Sequence, residues 1–285
     1  MTFPFDAAAA DGTLEPAAAR LLQAELQKVT DLRQHLGQVL HDVLPESSDR
    51  YQETHTYLGR LSYDHAMRAL STALDHLISW ERLLLRARVQ PETAHLSLLR
   101  SVLENAMTAF WLLEGGPHTR LSRGTQVAAD DLRERHKFER EFAGPSPAPS
   151  STNGKSAEER LVDLTTRAAA AGLTQLKRQQ QMIPPPLPLI EMFQRYPVTG
   201  RGTVGRGDAW LYRMLSAAAH GKQWLMLTQP LQQIALGVVP AGGPSDGVTV
   251  RSTANSGITV LSTQAAIAAV ERGLARLAEL GQAGS

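Results

Sequence analysis

An arginine and a histidine stand seven residues apart in the segment LYRMLSAAAHGKQW, which runs from Leu211 to Trp224. On a helix, this spacing places Arg213 and His220 about 20° apart around the axis and roughly 10 Å apart along it. Arginine is a permanent cation that matches phosphate geometry, and histidine transfers protons near neutral pH. The pair therefore predicts catalytic chemistry on a phosphodiester, in which Arg213 holds phosphate and His220 deprotonates a 2′-hydroxyl. Ser216 lies between them and is a predicted ligand-binding residue.

The Arg-x6-His spacing resembles the Arg-x(4–6)-His motif of HEPN-type helical proteins, many of which are metal-independent ribonucleases active as dimers. The resemblance implies a protein that binds RNA or a phosphorylated ligand, with ribonuclease activity of a defence or toxin kind. It also implies a homodimer as a candidate assembly. No cofactor is expected.

A second resemblance rests on longer segments of the chain, and it runs from about Asp75 to Leu280. The segments DHLISWERLL, LLRSVLENAMTAFWLLEG, YRMLSAAAHGKQW and VTVR look like those of a family of uncharacterised actinobacterial helical proteins. The features that map onto this family are Arg100 and Glu104 with Trp111, and His220 with Gly221. This similarity bears on the fold more than on the activity.

Arg100 and Glu104 are four residues apart, so they are adjacent on one helix face. Leucines and valines flank them, which indicates a partly buried stripe. We expect the two side chains to bind ligand and to orient Arg213 and His220. A structural ion pair is the alternative interpretation.

The loop TGRGTVGRGD offers a further candidate site for an anion. Glycine-rich backbone, arginine side chains and a following helix N-terminus together can receive a negatively charged group. Arg201 and Arg206 are therefore predicted ligand-binding residues.

Three function hypotheses remain open at this point. The first is RNA binding or cleavage at Arg213 and His220. The second is a non-enzymatic regulatory or protein-interaction module in which His220 packs in the core beside alanines. The third is an enzyme that acts on a small anionic metabolite at the arginine-rich loop. The residue pattern alone does not decide whether the chain is an enzyme.

Composition excludes several other classes of protein. The chain has no cysteine, which excludes disulfides, thiolate metal sites and cysteine nucleophiles, and its net charge of +1 gives no global attraction to nucleic acid. Glu92 and His95 have the Glu-x-x-His spacing of di-iron bundles but no second copy, so no metal site is predicted. Arg100, Glu104 and Asn105 interrupt the most apolar long segment, which argues against a membrane span. With no signal peptide visible, a cytoplasmic location is expected.

The elements that must position these residues are helices. Strong helix formers dominate, and apolar residues recur at three- and four-residue steps in six or more segments. Ser156 and Glu159 form a predicted capping box, and Asp208 is a predicted N-cap of the helix that carries His220. Only VTV and ITV, within residues 237–260, suggest strands. The sequence thus predicts an all-α, multi-helix bundle with at most one short β-hairpin near residues 237–260.

The predicted domain organisation is simple. Residues 1–15 are expected to form a loose leader, and residues 16–285 a single helical-bundle domain. Within that domain, the Pro-, Gly- and Ser-rich segment 143–156 is expected to be a mobile loop.

Overall fold

Nine α-helices and one two-stranded antiparallel hairpin make up the described part of the chain. The computed structural model describes residues 16–89, 94–141, 154–177, 180–197, 206–220 and 256–284, without the side chains of residues 177, 206 and 207. The elements are α1 Pro16–His41, α2 Asp49–Thr54, α3 Tyr57–Glu81 with a π-helical turn Arg82–Arg86, α4 Ala94–Leu113, α5 Pro117–Glu141, α6 Ala157–Ala170, β1 Gln175–Lys177, β2 Gln180–Met182, α7 Leu189–Arg195, α8 Arg206–Ala219 and α9 Ser256–Glu279.

The all-α fold class is confirmed, but the hairpin lies elsewhere than predicted. Gln175 pairs with Met182 and Lys177 with Gln180, more than fifty residues before the predicted position. The ITV segment, Ile258 to Val260, belongs to the first turns of α9, where Thr259 is buried and its neighbours pack against the core. Tertiary packing of this face outweighs the β-propensity of three β-branched residues. Residues 237–255, which include VTV, lie outside the described residues.

Helix α4 lies at the centre of the bundle because nearly every side of it is apolar. It contacts α3, α5, α7, α8 and α9. Five consecutive residues at its end, 109–113, are buried, which a helix can achieve only when neighbours cover it on all sides. Arg100 and Glu104 are the two residues with permanent charges at neutral pH on this central helix, and they face α8.

Helices α3 and α5 approach each other closely at Gly124. A Cβ atom added there would lie 2.4 Å from the backbone nitrogen of Ser62, so the contact requires a residue without a side chain. The hydroxyl of Ser62 donates a hydrogen bond of 2.6 Å to the carbonyl of Arg120, one turn earlier on α5. The glycine thus lets two helix backbones meet.

Two buried arginines join the ends of helices. Arg50 donates from Nη1 to the carbonyl of Val39 at 2.9 Å, and its backbone N–H donates to the carbonyl of Leu280 at 2.8 Å. It therefore links the end of α1 to the end of α9, and its charge faces the C-terminus of α1. Arg120 bonds bidentately to Glu53 and contacts Asp49, with Nη2 at 2.7 Å from the Asp49 carboxylate.

The predicted helix boundaries near the candidate sites are right in part. The capping box of Ser156 and Glu159 is confirmed, with both reciprocal hydrogen bonds present. The Asp208 N-cap prediction is wrong, because α8 begins at Arg206 and Asp208 lies inside its first turn. There its carboxylate still favours the helix N-terminus. The predicted leader 1–15 and residues 143–153 of the predicted loop lie outside the described residues.

Candidate functional site

His220 directly follows α8 and is exposed at the surface of the bundle. Its ring nitrogen Nε2 lies 3.1 Å from Nη1 of Arg100, a residue 120 positions earlier on the central helix α4. The second hypothesis placed His220 in the core beside alanines, and the exposed position of the ring contradicts that placement. The structure pairs two of the predicted site residues that are far apart in sequence.

The guanidinium of Arg100 is held from its other side by Glu104. Its Nε donates to Oε1 of Glu104 at 2.8 Å, and both side chains are partly buried, with about a quarter of each exposed (22% and 24%). Desolvation lowers the pKa of Arg100, but the Glu104 charge and the hydrogen bonds of Glu104 and Tyr212 together raise it above its ordinary value. Arg100 is thus a fixed, permanently charged group beside the histidine.

Tyr212 completes this cluster, although the sequence analysis did not predict it as a site residue. Its hydroxyl donates to Oε1 of Glu104 at 2.9 Å, and its ring stacks on Phe193 of α7 with centroids 5.0 Å apart. Burial raises the pKa of Tyr212, and the charge of Glu104 adds to the effect. The phenol therefore stays protonated and continues to donate. A tyrosine eight residues before His220, on the same helix, was the only available signal.

The contact between Arg100 and His220 has one chemical requirement. An arginine N–H can only donate, so a hydrogen bond between the two side chains requires Nε2 of His220 to accept. The resulting chain, Tyr212 to Glu104 to Arg100 to His220, presents one cation and one imidazole at the surface.

Arg213 and Ser216 lie on the same helix as His220 but outside this chain of hydrogen bonds. The Arg213 side chain is exposed, and it makes no hydrogen bond or ion pair with the residues that the structure describes. Ser216 is half-buried, and its carbonyl accepts the backbone N–H of His220 at 3.1 Å. The guanidinium beside the histidine is therefore that of Arg100, and Arg213 lies about two turns earlier on α8.

The remaining predicted positions add little to this site. Arg201 and the side chain of Arg206 lie outside the described residues. His95 is buried, contacts Thr259 at 3.1 Å and stacks on Trp80, which is a structural role. In the described ranges, no group of three or more acidic or histidine side chains can hold a metal ion. Nor do those ranges contain a helix of the length and hydropathy needed to cross a bilayer.

Comparisons of the chain with protein-family models, with curated proteins and with solved structures gave no match. The two resemblances noted in the sequence therefore remain predictions.

Proposed function

We propose that the chain binds RNA, or another phosphorylated ligand, at the surface formed by Arg100 and His220, and that it cleaves RNA without a metal ion. The observation that supports this most is the 3.1 Å contact between Nη1 of Arg100 and Nε2 of His220 at an exposed position. A fixed guanidinium and an accessible imidazole at hydrogen-bond distance suit a phosphate and the hydroxyl next to it.

The contact between Arg100 and His220 in the free protein implies that both side chains change hydrogen-bond partners when a ligand binds. In the free protein, the lone pair of Nε2 is occupied by Arg100. A phosphate is a stronger acceptor than a neutral imidazole, because hydrogen bonds between ions are stronger than those involving one neutral partner. Arg100 would therefore turn its Nη1 donor to the phosphate, with Nε still held by Glu104. That change frees Nε2 of His220 to accept a proton.

In the cleavage step, the ribose 2′-oxygen replaces the 5′-oxygen on phosphorus, and His220 carries the proton between them. Nε2 of His220 takes the proton of the ribose 2′-hydroxyl, and the 2′-oxygen forms a bond to phosphorus. The bond between phosphorus and the 5′-oxygen breaks, and the imidazolium returns the proton to that oxygen. The products are a 2′,3′-cyclic phosphate and a free 5′-hydroxyl. Arg213 would hold a neighbouring phosphate of the same strand.

Incubation of the purified protein with total RNA tests this proposal. Cleavage should persist in EDTA and should leave 2′,3′-cyclic phosphate ends. His220→Ala should abolish cleavage with little change in melting temperature, because the ring is exposed. His118→Ala, at another exposed histidine, is the matched control and should retain full activity. Intact RNA after incubation with the wild-type protein would remove the nuclease proposal.

The two arginines can be separated by conservative substitution. Lysine keeps the charge but lacks the planar fork, so Arg100→Lys cannot hold Glu104 through one nitrogen while a second nitrogen donates to phosphate. Arg100→Lys should lower cleavage by roughly 10- to 100-fold, and Arg213→Lys by less than about tenfold. The reverse order would assign the phosphate contact to Arg213 and contradict the role given to Arg100.

A further inference from the structure

A cavity of about 380 Å³ lies between α1, the first turns of α8 and the middle of α9, built from residues other than those of the Arg100–His220 site. Its volume falls at the lower end of the range that is usual for small-molecule sites. The apolar part of the wall comes from two of the three helices. These side chains are Trp210, Leu211, Leu261, Ile267 and Ala268.

Trp210 leaves a large apolar surface open at this cavity. Half of this residue (50%) and more than a third of Leu261 (37%) remain exposed, whereas Trp80 and Trp111 are buried in the core. A tryptophan ring is the best aromatic partner for a cation placed over its face. An open indole beside a concave apolar wall therefore suits a ligand with a hydrophobic body.

The polar groups of the cavity carry an excess of negative charge. Three carboxylates, those of Glu25, Asp208 and Glu271, line it together with one ammonium, that of Lys28. The carboxylate of Glu25 already has partners within the protein, because it accepts hydrogen bonds from Lys28 at 2.7 Å and from Gln264 at 3.4 Å. Glu271 is exposed and makes no ion pair within the described part of the chain. The pKa of Lys28 is raised, first by its hydrogen bond to Glu25 and also by the charge of Glu271.

We propose that this cavity binds a small organic cation, an ammonium group carried on an aromatic or aliphatic body. The body would lie against Trp210 and Leu261, and the ammonium would pair with Glu271. A concave site of this volume fits a small molecule better than a peptide chain, which needs a groove open at both ends. The inference is independent of the RNA-cleavage proposal, because the two sites share no residue.

Three probes of one shape and different charge test the proposal. Benzylammonium, benzyl alcohol and benzoate carry the same ring with a positive, a neutral and a negative group. Saturation-transfer NMR and tryptophan fluorescence should show binding in that order, with a dissociation constant for benzylammonium on the order of a millimolar. Trp210→Ala should remove the binding and leave the melting temperature nearly unchanged, since the ring is half exposed.

Substitution of the Glu271 carboxylate tests whether the ammonium group binds beside it. Glu271→Gln should weaken benzylammonium roughly two- to fivefold and leave benzyl alcohol unaffected. Glu279→Gln, eight residues further along α9 and outside the cavity, is the matched control and should change neither. Equal binding of all three probes, no binding by any, or an unchanged affinity in Glu271→Gln would overturn the proposal. Tighter binding of a tetralysine peptide than of benzylammonium would also overturn the proposal, because that result would indicate a peptide-binding surface.

Discussion

The hydroxyl of Tyr212 and the carboxylate of Glu104 lie 2.9 Å apart, although 108 residues separate them in the chain. The same carboxylate oxygen also accepts from Arg100. One oxygen thus fixes a residue of α4 and a residue of α8 together. Among the described residues, Tyr212 makes no hydrogen bond to His220, so its effect on the histidine passes through Glu104 and Arg100, and it is a positioning residue.

The first prediction concerns this hydroxyl. Tyr212→Phe removes one hydrogen bond to a carboxylate and keeps the ring that stacks on Phe193. The free energy of unfolding should fall by about 1–2 kcal/mol, because a charged acceptor loses one of its two donors. Denaturant melts measure this loss. In the RNA assay, activity should fall while the melting curve remains cooperative. An unchanged stability would show that water replaces the phenol fully.

A second prediction concerns the coupling between Arg100 and Glu104. Because each side chain is about a quarter exposed, Arg100→Ala should cost about 1–2 kcal/mol, between the values for surface pairs and for fully buried pairs. A double-mutant cycle with Glu104→Ala should give a coupling energy of about 0.5–1.5 kcal/mol. Additive losses would mean that the two residues do not interact.

The chain offers a matched control for this cycle. Arg60 and Asp64 have the same four-residue spacing on α3 and form a longer, more exposed ion pair of 3.3 Å. Their coupling energy should be below about 0.5 kcal/mol. If the two cycles gave equal coupling energies, burial and the Tyr212 hydrogen bond would contribute nothing at Glu104.

A third prediction concerns the carboxylates around Arg120. The Arg120 side chain is 1% exposed, while that of Glu53 is 11% exposed and that of Asp49 is 47% exposed. Glu53→Ala should cost about 3–5 kcal/mol, because it leaves a buried guanidinium without its main counter-charge. Asp49→Ala should cost less than about 1 kcal/mol, because water reaches that carboxylate. Similar losses in urea melts would contradict this ranking.

A fourth prediction is a pH dependence that arises from Tyr63. Its hydroxyl is fully buried with no hydrogen-bond partner in the described ranges, and burial, helped by the charge of Glu53, raises its pKa far above the ordinary value. The folded protein therefore keeps the phenol protonated, whereas the unfolded chain ionises near pH 10. The stabilising contribution is complete below about pH 10 and is lost as the pH rises further.

Substitution of this tyrosine isolates its contribution. Tyr63→Phe cannot ionise, so its stability should fall less steeply than that of the wild type above about pH 10. At neutral pH, the change should alter stability by less than about 1 kcal/mol, because the lost hydroxyl has no hydrogen-bond partner in the part of the chain that the structure describes. Chemical denaturation at several alkaline pH values measures both effects. Parallel curves for the two proteins would show that Tyr63 does not contribute.

The helical part of the fold was predictable because it depends on local periodicity. Apolar spacing located the long helices, and the capping box at Ser156 marked the start of α6 to the residue. The hairpin was not predictable, since its strands, QLK and QQM, are mostly polar and do not alternate. Ile258 to Val260 favoured a strand by propensity, and only packing of that face against the core makes it helical.

The candidate site was predictable only residue by residue. Arg100, Glu104 and His220 were each recognisable from composition and spacing, but their meeting was not. Helical spacing relates residues within one element, so it pairs His220 with Arg213. The contact between His220 and Arg100 depends on how α8 docks on α4, which no local pattern encodes. Tyr212 lies in the site because of the same docking of α8 on α4.

The two interactions of Arg50 have a consequence for how the protein opens. They join the first described helix to the last, across roughly 230 residues of chain, so closing this contact carries a large loop-entropy cost. The terminal helices α1 and α9 should then unfold as one cooperative unit. In native-state hydrogen exchange, the amides at the ends of α1 and α9 should share one opening free energy. Removal of Leu280 and the residues that follow it should lower protection in α1, because the carbonyl that accepts from Arg50 is then lost.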